Sequence, residues 1–279
     1  MVLAPSAEPI MVQSHHLPEL IDRTYGTTAH WARTTPDSVV VFVHGFFGKA
    51  VGTWNDFPSI LLVDPAAAQS DLIFFGYDGR EAQAANSAEE LLEFLDVVAS
   101  KPWTLSKGLG RSRRDPPYKR IVLVTHSLGG VIARRALLNA AKDGAAWIRL
   151  VRMVMFAPAH KGAHAAVLAA GFASEQDWYL GKVIAKVLKY RIPLIEDLKP
   201  DSDILKDLLD DTREALKANP TANHAVAHAV VWANQERVVI NGRYGNDPKP
   251  TRLPKNHASV CKPDAAFVEP RDIVLSALV

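Results

Sequence analysis

The chain alternates continuous apolar runs with segments of helical periodicity. The apolar runs, rich in β-branched and aromatic residues, are Val39–Val43, Leu72–Gly76, Ile121–Val124, Leu150–Phe156 and Ala225–Ala233. Because they are mostly continuous, they predict strands buried on both faces. The helical segments are Ser87–Val98, with Ser87 as its expected N-cap, Leu128–Ala141, Asp203–Ala218 and Ile273–Val279. Strands that alternate with helices predict an α/β fold, with a mostly parallel central sheet flanked by helices.

Two stretches interrupt this alternation. Residues Lys101–Arg120 hold many basic side chains against the single acid Asp115, which predicts an exposed loop. Its charges are either simply solvated or directed at an anionic surface or substrate. Residues 158–223 separate the fourth and fifth runs and predict a helical cap insertion over the active face, which includes the amphipathic segment Lys182–Tyr190. Ordinary core helices are the alternative.

The same pattern predicts the division of the chain. Residues 1–34 are expected to form an N-terminal arm and the first strands, with residues 1–20 loose because of their prolines. Residues 35–279 are expected to form one large α/β domain that contains the cap.

Composition narrows the class of protein. Of 279 residues, 48% are hydrophobic and 22% charged, which favours a large core over disorder. Thirty-two basic against 30 acidic residues give a net charge of +2, so nothing favours a nucleic-acid partner. The single Cys261 precludes an internal disulfide and favours a reducing compartment. Without a signal-like start or a transmembrane-length apolar run, we expect a cytoplasmic protein; membrane-surface contact and oligomeric state stay open.

Ser127 stands where a catalytic serine would be expected. The third apolar run leads into Thr125–Gly130 (Thr-His-Ser-Leu-Gly-Gly) and then into a helical segment. This order is typical of a serine nucleophile, because the sharp turn lifts the hydroxyl clear of the sheet and the helix N-terminus lies beside the developing oxyanion. Thr125 occupies the first glycine position of G-x-S-x-G, so the turn requires local room there.

A second loop would supply another oxyanion donor of an acyl-transfer site. The first apolar run ends in His44-Gly45-Phe46-Phe47-Gly48. In such sites one oxyanion donor is the backbone N–H after the nucleophile, and another comes from the loop after an earlier strand. These donors would be Leu128 and Phe46. We expect His44 and His126 to orient the two turns.

The serine needs a base and an acid. Of the ten histidines, His257 is the best placed, in a late polar loop. Glu236 follows the fifth run, and gives the chain order serine, acid, histidine that this architecture requires. Asp247 is a rival acid, and Asp203 is a more distant candidate. The alternative for each residue is a solvated surface side chain.

Other chemistries find little support. The chain contains no HExxH, no phosphate-binding GxxxxGK[ST] and no GxGxxG after a strand. His160 and His164 have a spacing that could bind a metal, but no cysteine or glutamate accompanies them. We therefore expect no metal and no cofactor. The aromatic residues Phe47 and Trp54, with Trp178 and Tyr179, are expected near an entrance that favours an apolar acyl chain.

These motifs together resemble the α/β-hydrolase superfamily, and within it the lipase-like serine esterases grouped with inositol-deacylase-like proteins. The matching segments are Phe42–Gly48, Phe75–Asp78, Val124–Val131, Phe156–Gly162 and His257–Pro263. The resemblance implies that Ser127 is the nucleophile, that His257 is the base, and that the acid lies in the turn Glu236–Val239. It also implies ester substrates, often lipid esters, and no cofactor.

The sequence thus predicts a serine hydrolase that cleaves small-molecule or lipid carboxylic esters through an acyl-enzyme on Ser127. Two rivals remain: an acyltransferase with the same three residues, and a non-catalytic interaction module that keeps the fold.

Overall fold

A computed structural model describes residues 14–80, 82–108, 110–164 and 193–279. Residues 165–192 of the predicted cap, which include Lys182–Tyr190, Trp178 and Tyr179, lie outside the described residues. The division into an arm and a domain with a cap therefore stays a prediction.

The described chain is organised around an eight-stranded sheet. The strands, in chain order, are β1 Glu19–Leu20, β2 Thr28–His30, β3 Ser38–Val43, β4 Ser70–Phe75, β5 Arg120–His126, β6 Val151–Phe156, β7 Ala229–Gln235 and β8 Thr251–Asn256. Their order across the sheet is β1-β2-β4-β3-β5-β6-β7-β8. The six strands from β3 to β8 pair in parallel, and β1 and β2 add an antiparallel edge. The predicted mostly parallel α/β sheet is confirmed.

Helices flank this sheet. They are α1 Phe57–Val63, α2 Ala84–Ser100, α3 Leu128–Lys142, α4 Pro193–Asp197, α5 Asp203–Ala218 and α6 Glu269–Ser276, with short 3₁₀ turns at Gly52–Trp54, Pro65–Ala67, Pro102–Thr104 and Ala146–Leu150. Helix α3 packs against α2 and α5. None of the helices in the described part of the chain is long and apolar enough to cross a membrane.

The central strands are buried because helices cover the sheet. All six residues of β3 and all six of β4 are buried. The Phe42 ring of β3 stacks on Phe74 of β4 with 4.6 Å between centroids. Burial on both faces explains why these strands read as continuous apolar runs.

The fifth predicted strand begins later than its apolar run. Residues 225–228 form a turn before β7, not its first residues. The carbonyl of Ala225 accepts a hydrogen bond from the buried Arg134, and the Ala227 N–H donates to Asp247 Oδ1 over 2.8 Å. These side chains hold the backbone groups that a strand would otherwise pair.

The start of α2 was also wrongly predicted. The helix begins at Ala84, and Ser87 is a buried residue of its first turn and not its N-cap. The Ala84 N–H donates instead to Asp197 Oδ2 over 2.9 Å. A carboxylate more than a hundred positions away thus satisfies a free N–H of the helix start.

The basic stretch Lys101–Arg120 is not wholly exposed. The Arg111 side chain is 3% exposed and pairs with Asp71 of β4, with 2.8 Å between Nε and Oδ2. The Tyr118 hydroxyl donates to the same carboxylate over 2.5 Å. The stretch is therefore anchored to the sheet, while Arg113, Arg114 and Lys119 remain exposed.

The described part of the N-terminal arm is not loose. His15 Nε2 lies 2.8 Å from the carbonyl oxygen of Ser70, and the His16 N–H donates to the Trp31 carbonyl over 2.8 Å. The Trp31 indole in turn donates to Glu19 Oε2 over 2.6 Å. Residues 14–20 thus extend the sheet edge.

The closing helix α6 begins four residues before the predicted Ile273.

Candidate active site

Ser127 forms the sharp turn between β5 and α3. Its φ of 53° and ψ of −119° lie in a region that non-glycine residues rarely occupy. Its N–H donates to the Phe156 carbonyl over 2.9 Å, and its carbonyl accepts from the N–H groups of Gly130 (3.0 Å) and Ala159 (3.2 Å). Bonds to two neighbouring segments hold the strained turn in place, as a nucleophile elbow requires.

Two glycines let this turn approach β3. A Cβ on Gly129 would lie 2.3 Å from the Val43 carbonyl oxygen, and one on Gly45 would lie 2.9 Å from the Ser127 Cβ. Both distances are far below van der Waals contact. The loop after β3 and the start of α3 can therefore meet only without side chains at these positions.

Thr125, at the first glycine position of the motif, is accommodated as a fully buried residue of β5. A Cβ on Gly130 would lie 3.0 Å from the Pro158 Cβ but 3.4 Å from Thr125 Oγ1, which is an ordinary contact distance. Gly130 therefore leaves room for the loop at Pro158, and the threonine does not depend on it.

His257 lies between Ser127 and Glu236. Its Nε2 is 3.1 Å from Ser127 Oγ, and its Nδ1 is 2.9 Å from Glu236 Oε2. The His257 and Glu236 side chains are 4% and 1% exposed, and Ser127 has no exposed surface. The three predicted side chains therefore form one hydrogen-bonded chain shielded from water.

A register shift between β7 and β8 sets the position of His257. Between the pairs Ala233–Leu253 and Gln235–Asn256, β8 advances by one more residue than β7. The extra residue falls at Pro254 or Lys255, and proline suits a bulge in an edge strand because it cannot donate to the ladder. His257 follows directly after this bulge.

Glu236 is held as a carboxylate. Its Oε1 accepts from the backbone N–H groups of Val238 (2.9 Å) and Val239 (3.1 Å). Burial alone would raise the pKa of Glu236, but the hydrogen bond and charge of His257 and these two N–H groups lower the pKa below its ordinary value. An ionised Glu236 favours the His257 tautomer with its proton on Nδ1, which turns the Nε2 lone pair toward Ser127.

The rival acids have other surroundings. Asp247 Oδ2 accepts from Arg134 Nη2 over 2.6 Å, inside the core. Asp203 stands fully exposed at the start of α5. Of the three candidates, the structure brings only Glu236 to His257.

The predicted oxyanion donors flank the turn. Leu128 is the first residue of α3, and Phe46 follows Gly45 in the loop against Ser127; both are fully buried. The Phe47 N–H donates to the Gly79 carbonyl over 2.9 Å, which fixes this loop. The roles of both donors remain predictions.

The two aromatic residues predicted at the entrance differ in placement. Phe47 is partly buried, and the Arg80 guanidinium lies 5.5 Å from its ring centroid. Trp54 is fully buried and packs edge-on against Phe42, with 5.0 Å between centroids. The structure therefore corrects the expectation for Trp54, which is a core residue because the 3₁₀ turn that carries it points it at β3.

Two buried histidines contact the turns. His126 Nε2 lies 2.8 Å from the His257 carbonyl oxygen, and burial lowers the pKa of His126 well below its ordinary value. His44 stacks on Tyr77 at 4.2 Å, and burial lowers the pKa of His44 to about 4. Both rings are therefore neutral at pH 7 and act through hydrogen bonds and stacking.

Among the described residues, His160 and His164 have no partners that would complete a metal site. His160 stacks on Tyr244 at 4.4 Å, and its Nε2 lies 3.1 Å from the Gly130 carbonyl oxygen. Within the described ranges, no three side chains of His, Cys, Asp or Glu gather in a way that could hold a metal ion.

Comparison with known proteins identifies the family. The model of the alpha/beta hydrolase family matches residues 40–271, and the chain belongs to this family. No curated protein sequence matches the chain at a significant level.

Solved structures share the fold at low identity. The peroxisomal alpha-beta-hydrolase Lpx1 from Saccharomyces cerevisiae is 10% identical, with a TM-score of 0.56 over 98% of this chain and 87% of its own. The lipase BlEst2 from Bacillus licheniformis is 15% identical, with a TM-score of 0.53 over 89% of this chain and 97% of its own. At these identities the likeness shows the fold alone.

Proposed function

We propose that this protein is a serine carboxylic-ester hydrolase with Ser127 as nucleophile, His257 as base and Glu236 as acid. The proposal rests on one observation: the unbroken contact from Ser127 Oγ through His257 to Glu236, at 3.1 and 2.9 Å. These distances are within hydrogen-bond reach, as activation of a serine by an imidazole requires.

The reaction follows from this geometry. His257 Nε2 takes the hydroxyl proton as Ser127 Oγ attacks the ester carbonyl carbon, and Glu236 stabilises the imidazolium. The N–H groups of Phe46 and Leu128 receive the oxyanion; removing one such donor typically costs about 10²–10³ in kcat. The intermediate collapses, His257 protonates the departing alcohol, and Ser127 retains the acyl group. Water, deprotonated by His257, then releases the acid and restores the serine.

The substrate class is supported by two likenesses. One fold neighbour is described as a lipase, and the sequence motifs resemble lipase-like esterases of the inositol-deacylase-like group. We therefore infer lipid or other acyl esters as substrates. The chemistry needs no metal or cofactor, because Ser127 supplies the nucleophile, His257 carries every proton transfer and Glu236 stabilises the imidazolium.

Hydrolysis of p-nitrophenyl esters from acetyl to long acyl chains tests the proposal. Wild type should turn over and react with a fluorophosphonate probe, while Ser127→Ala should do neither; Ser276→Ala, at an exposed serine of α6, is the matched control. A folded Ser127→Ala protein with wild-type turnover would refute the proposal. Product analysis with added alcohols separates hydrolysis from acyl transfer by the same residues.

A further inference from the structure

A groove of about 620 Å³ is lined by segments that are neighbours in sequence of residues bonded to Ser127 and Glu236. Its walls come from the loop after β6, one face of α5 and the segment after Glu236. Four basic side chains line it, and we call it the basic groove: Lys161, Lys206, Arg213 and Arg243.

The charge of the basic groove is only partly balanced. One carboxylate, Asp201, lines it. Lys206 and Arg213 lie 4.0 and 3.1 Å from carboxylates one helical turn away, but these are exposed pairs that contribute little. Where the structure describes the chain, no carboxylate pairs with Lys161 or Arg243. Four cations around one concave surface attract an anion more strongly than the same charges spread over a flat face.

Gly242 makes room for one of these cations. A Cβ on Gly242 would lie 2.6 Å from Lys161 Nζ. The ammonium group therefore rests against the backbone of the segment that also carries Arg243. Lys161 and Arg243, which form no ion pair with any residue in the described ranges, thus lie on adjoining walls of the basic groove.

The floor holds a polar atom without a partner. His160 is 4% exposed and lines the groove, and its Nδ1 forms no hydrogen bond with any described residue. Its other ring nitrogen lies 3.1 Å from the Gly130 carbonyl oxygen, and its ring stacks on Tyr244. Because Nδ1 is buried beneath the surface of the groove, it does not itself contact a ligand there, and the four cations carry the attraction for an anion.

Backbone hydrogen bonds link the walls of the groove to the candidate active site. Ala159, next to His160, donates its N–H to the Ser127 carbonyl over 3.2 Å. The Ile240 N–H donates to the Gly162 carbonyl over 2.9 Å, and Ala163 bridges Val239. The loop that braces the serine and the segment that holds Glu236 therefore pair with each other and form two of the walls.

We propose that the basic groove binds a phosphate or carboxylate group carried by the ester substrate. The assignment of this anion to the substrate rests on the proposed function, because it requires that the protein hydrolyse esters. The binding of an anion in the groove does not. Guanidinium and ammonium groups form charge-assisted hydrogen bonds with both anions.

Direct binding tests the site without any activity. Calorimetric titration of the Ser127→Ala protein with inorganic phosphate at low salt should show saturable binding. Adding Lys161→Gln and Arg243→Gln should weaken it about tenfold or more, because two charge-assisted contacts are lost. The matched control, Arg113→Gln with Lys119→Gln, removes the same charge from the exposed loop before β5 and should leave binding unchanged. No saturable binding, or an equal loss in the control, would overturn the proposal.

Gly242→Ala is a variant that changes no charge. It should displace the Lys161 ammonium and weaken phosphate binding several-fold, whereas Gly52→Ala, whose added Cβ would meet Lys49 at an ordinary 3.6 Å, should not. Binding unchanged by Gly242→Ala would contradict the assigned position of Lys161.

Kinetics decide whether the anion belongs to the substrate. The Lys161→Gln/Arg243→Gln protein should have a raised KM for p-nitrophenyl hemisuccinate and an unchanged KM for the neutral butyrate. Phosphate binding with both KM values unchanged would overturn the assignment to the substrate. If the wild type hydrolyses no ester, the proposed function fails, while the calorimetry still decides the anion site.

Vesicles separate the two sources of the anion. Sedimentation with phosphatidylglycerol vesicles but not with pure phosphatidylcholine, lost in the Lys161→Gln/Arg243→Gln protein, would assign it to a lipid headgroup. Phosphate binding without sedimentation would assign it to a soluble ester.

Discussion

His126 donates a hydrogen bond to the backbone of His257, with 2.8 Å between Nε2 and the carbonyl oxygen and 4.8 Å between the ring centroids. Burial keeps the His126 ring neutral, because it lowers the pKa well below the ordinary value. A neutral ring has one proton, and this contact places it on Nε2. The residue before the candidate nucleophile thus fixes the backbone of the candidate base.

We expect His126→Ala to lower kcat about 10–100-fold with little change in KM, because a small misplacement of a catalytic group costs this much. His126→Gln, which can still donate to the carbonyl, should recover part of the loss. Steady-state kinetics on a short-chain p-nitrophenyl ester, with thermal unfolding as the check on folding, measure both. Equal kcat for His126→Ala and wild type would show that the contact is only structural.

Glu236→Gln should mainly lower activity, whereas Asp247→Asn should mainly lower stability. Glu236→Gln removes the charge that orients His257, so kcat should fall about 10²–10⁴-fold. Asp247→Asn breaks the buried pair with Arg134 and should lower the free energy of unfolding by about 3–5 kcal/mol, while the folded fraction keeps most of its kcat. Active-site titration paired with urea unfolding separates the two quantities. A large kcat loss confined to Asp247→Asn would transfer the acid role to Asp247.

Acid should destabilise the protein through its buried histidines. Burial lowers the pKa values of His30 and His44 to about 4, and those of His126 and His160 well below the ordinary value of a histidine. Between pH 6.5 and 4 the unfolded chain binds protons that the folded one does not, so the free energy of unfolding falls as the pH falls. Each histidine contributes a slope of about 1.4 kcal/mol per pH unit at most.

His30→Phe removes one of these protonation sites and so isolates its contribution to the pH dependence of stability. His30 is the last residue of β2, which β4 and β3 separate from β5, and it packs edge-on against Phe74. Urea unfolding at several pH values should give the variant a shallower decline below pH 6.5, by roughly one proton. Parallel curves for variant and wild type would show that His30 titrates normally in the folded protein.

Gly129→Ala should disable the turn at Ser127. The added Cβ would lie 2.3 Å from the Val43 carbonyl oxygen, so β3 and α3 would have to separate. We expect loss of fluorophosphonate labelling and destabilisation of at least about 1–3 kcal/mol, the usual cost of overpacking. Gly144→Ala is a poor control because its φ is +73°, whereas Gly52→Ala adds only an ordinary contact. Normal labelling of Gly129→Ala would show that the turn relaxes easily.

Local patterns predicted the elements that depend on local physics. Strands β3 to β6 are recognisable as apolar runs in the sequence because helices cover both of their faces. The turn at Ser127 is predicted by the small residues that follow the serine. Edge strand β8 has no such signal: only Leu253 of its six residues is buried, and Pro254 argues against a strand. It is formed because β7 offers a partner.

Long-range polar contacts could not be predicted from one sequence. Asp197 caps α2, Asp71 receives Arg111, and Asp247 receives Arg134. In each case the sequence alone indicates a charged surface residue, because the partner that pairs with it is distant in the chain. Arg134 is the clearest example, since it falls within a helical segment whose other arginine, Arg135, is only partly buried.

The extra residue in β8 makes the candidate site sensitive to chain length at one point. Side chains in a strand alternate between faces, so loss of that residue would reverse every position that follows it, His257 included. Glu236, in the neighbouring strand's turn, would then face a different side chain. An insertion or deletion between Leu253 and Asn256 would therefore disrupt the candidate site, unless the histidine moved along the chain by the same number of residues.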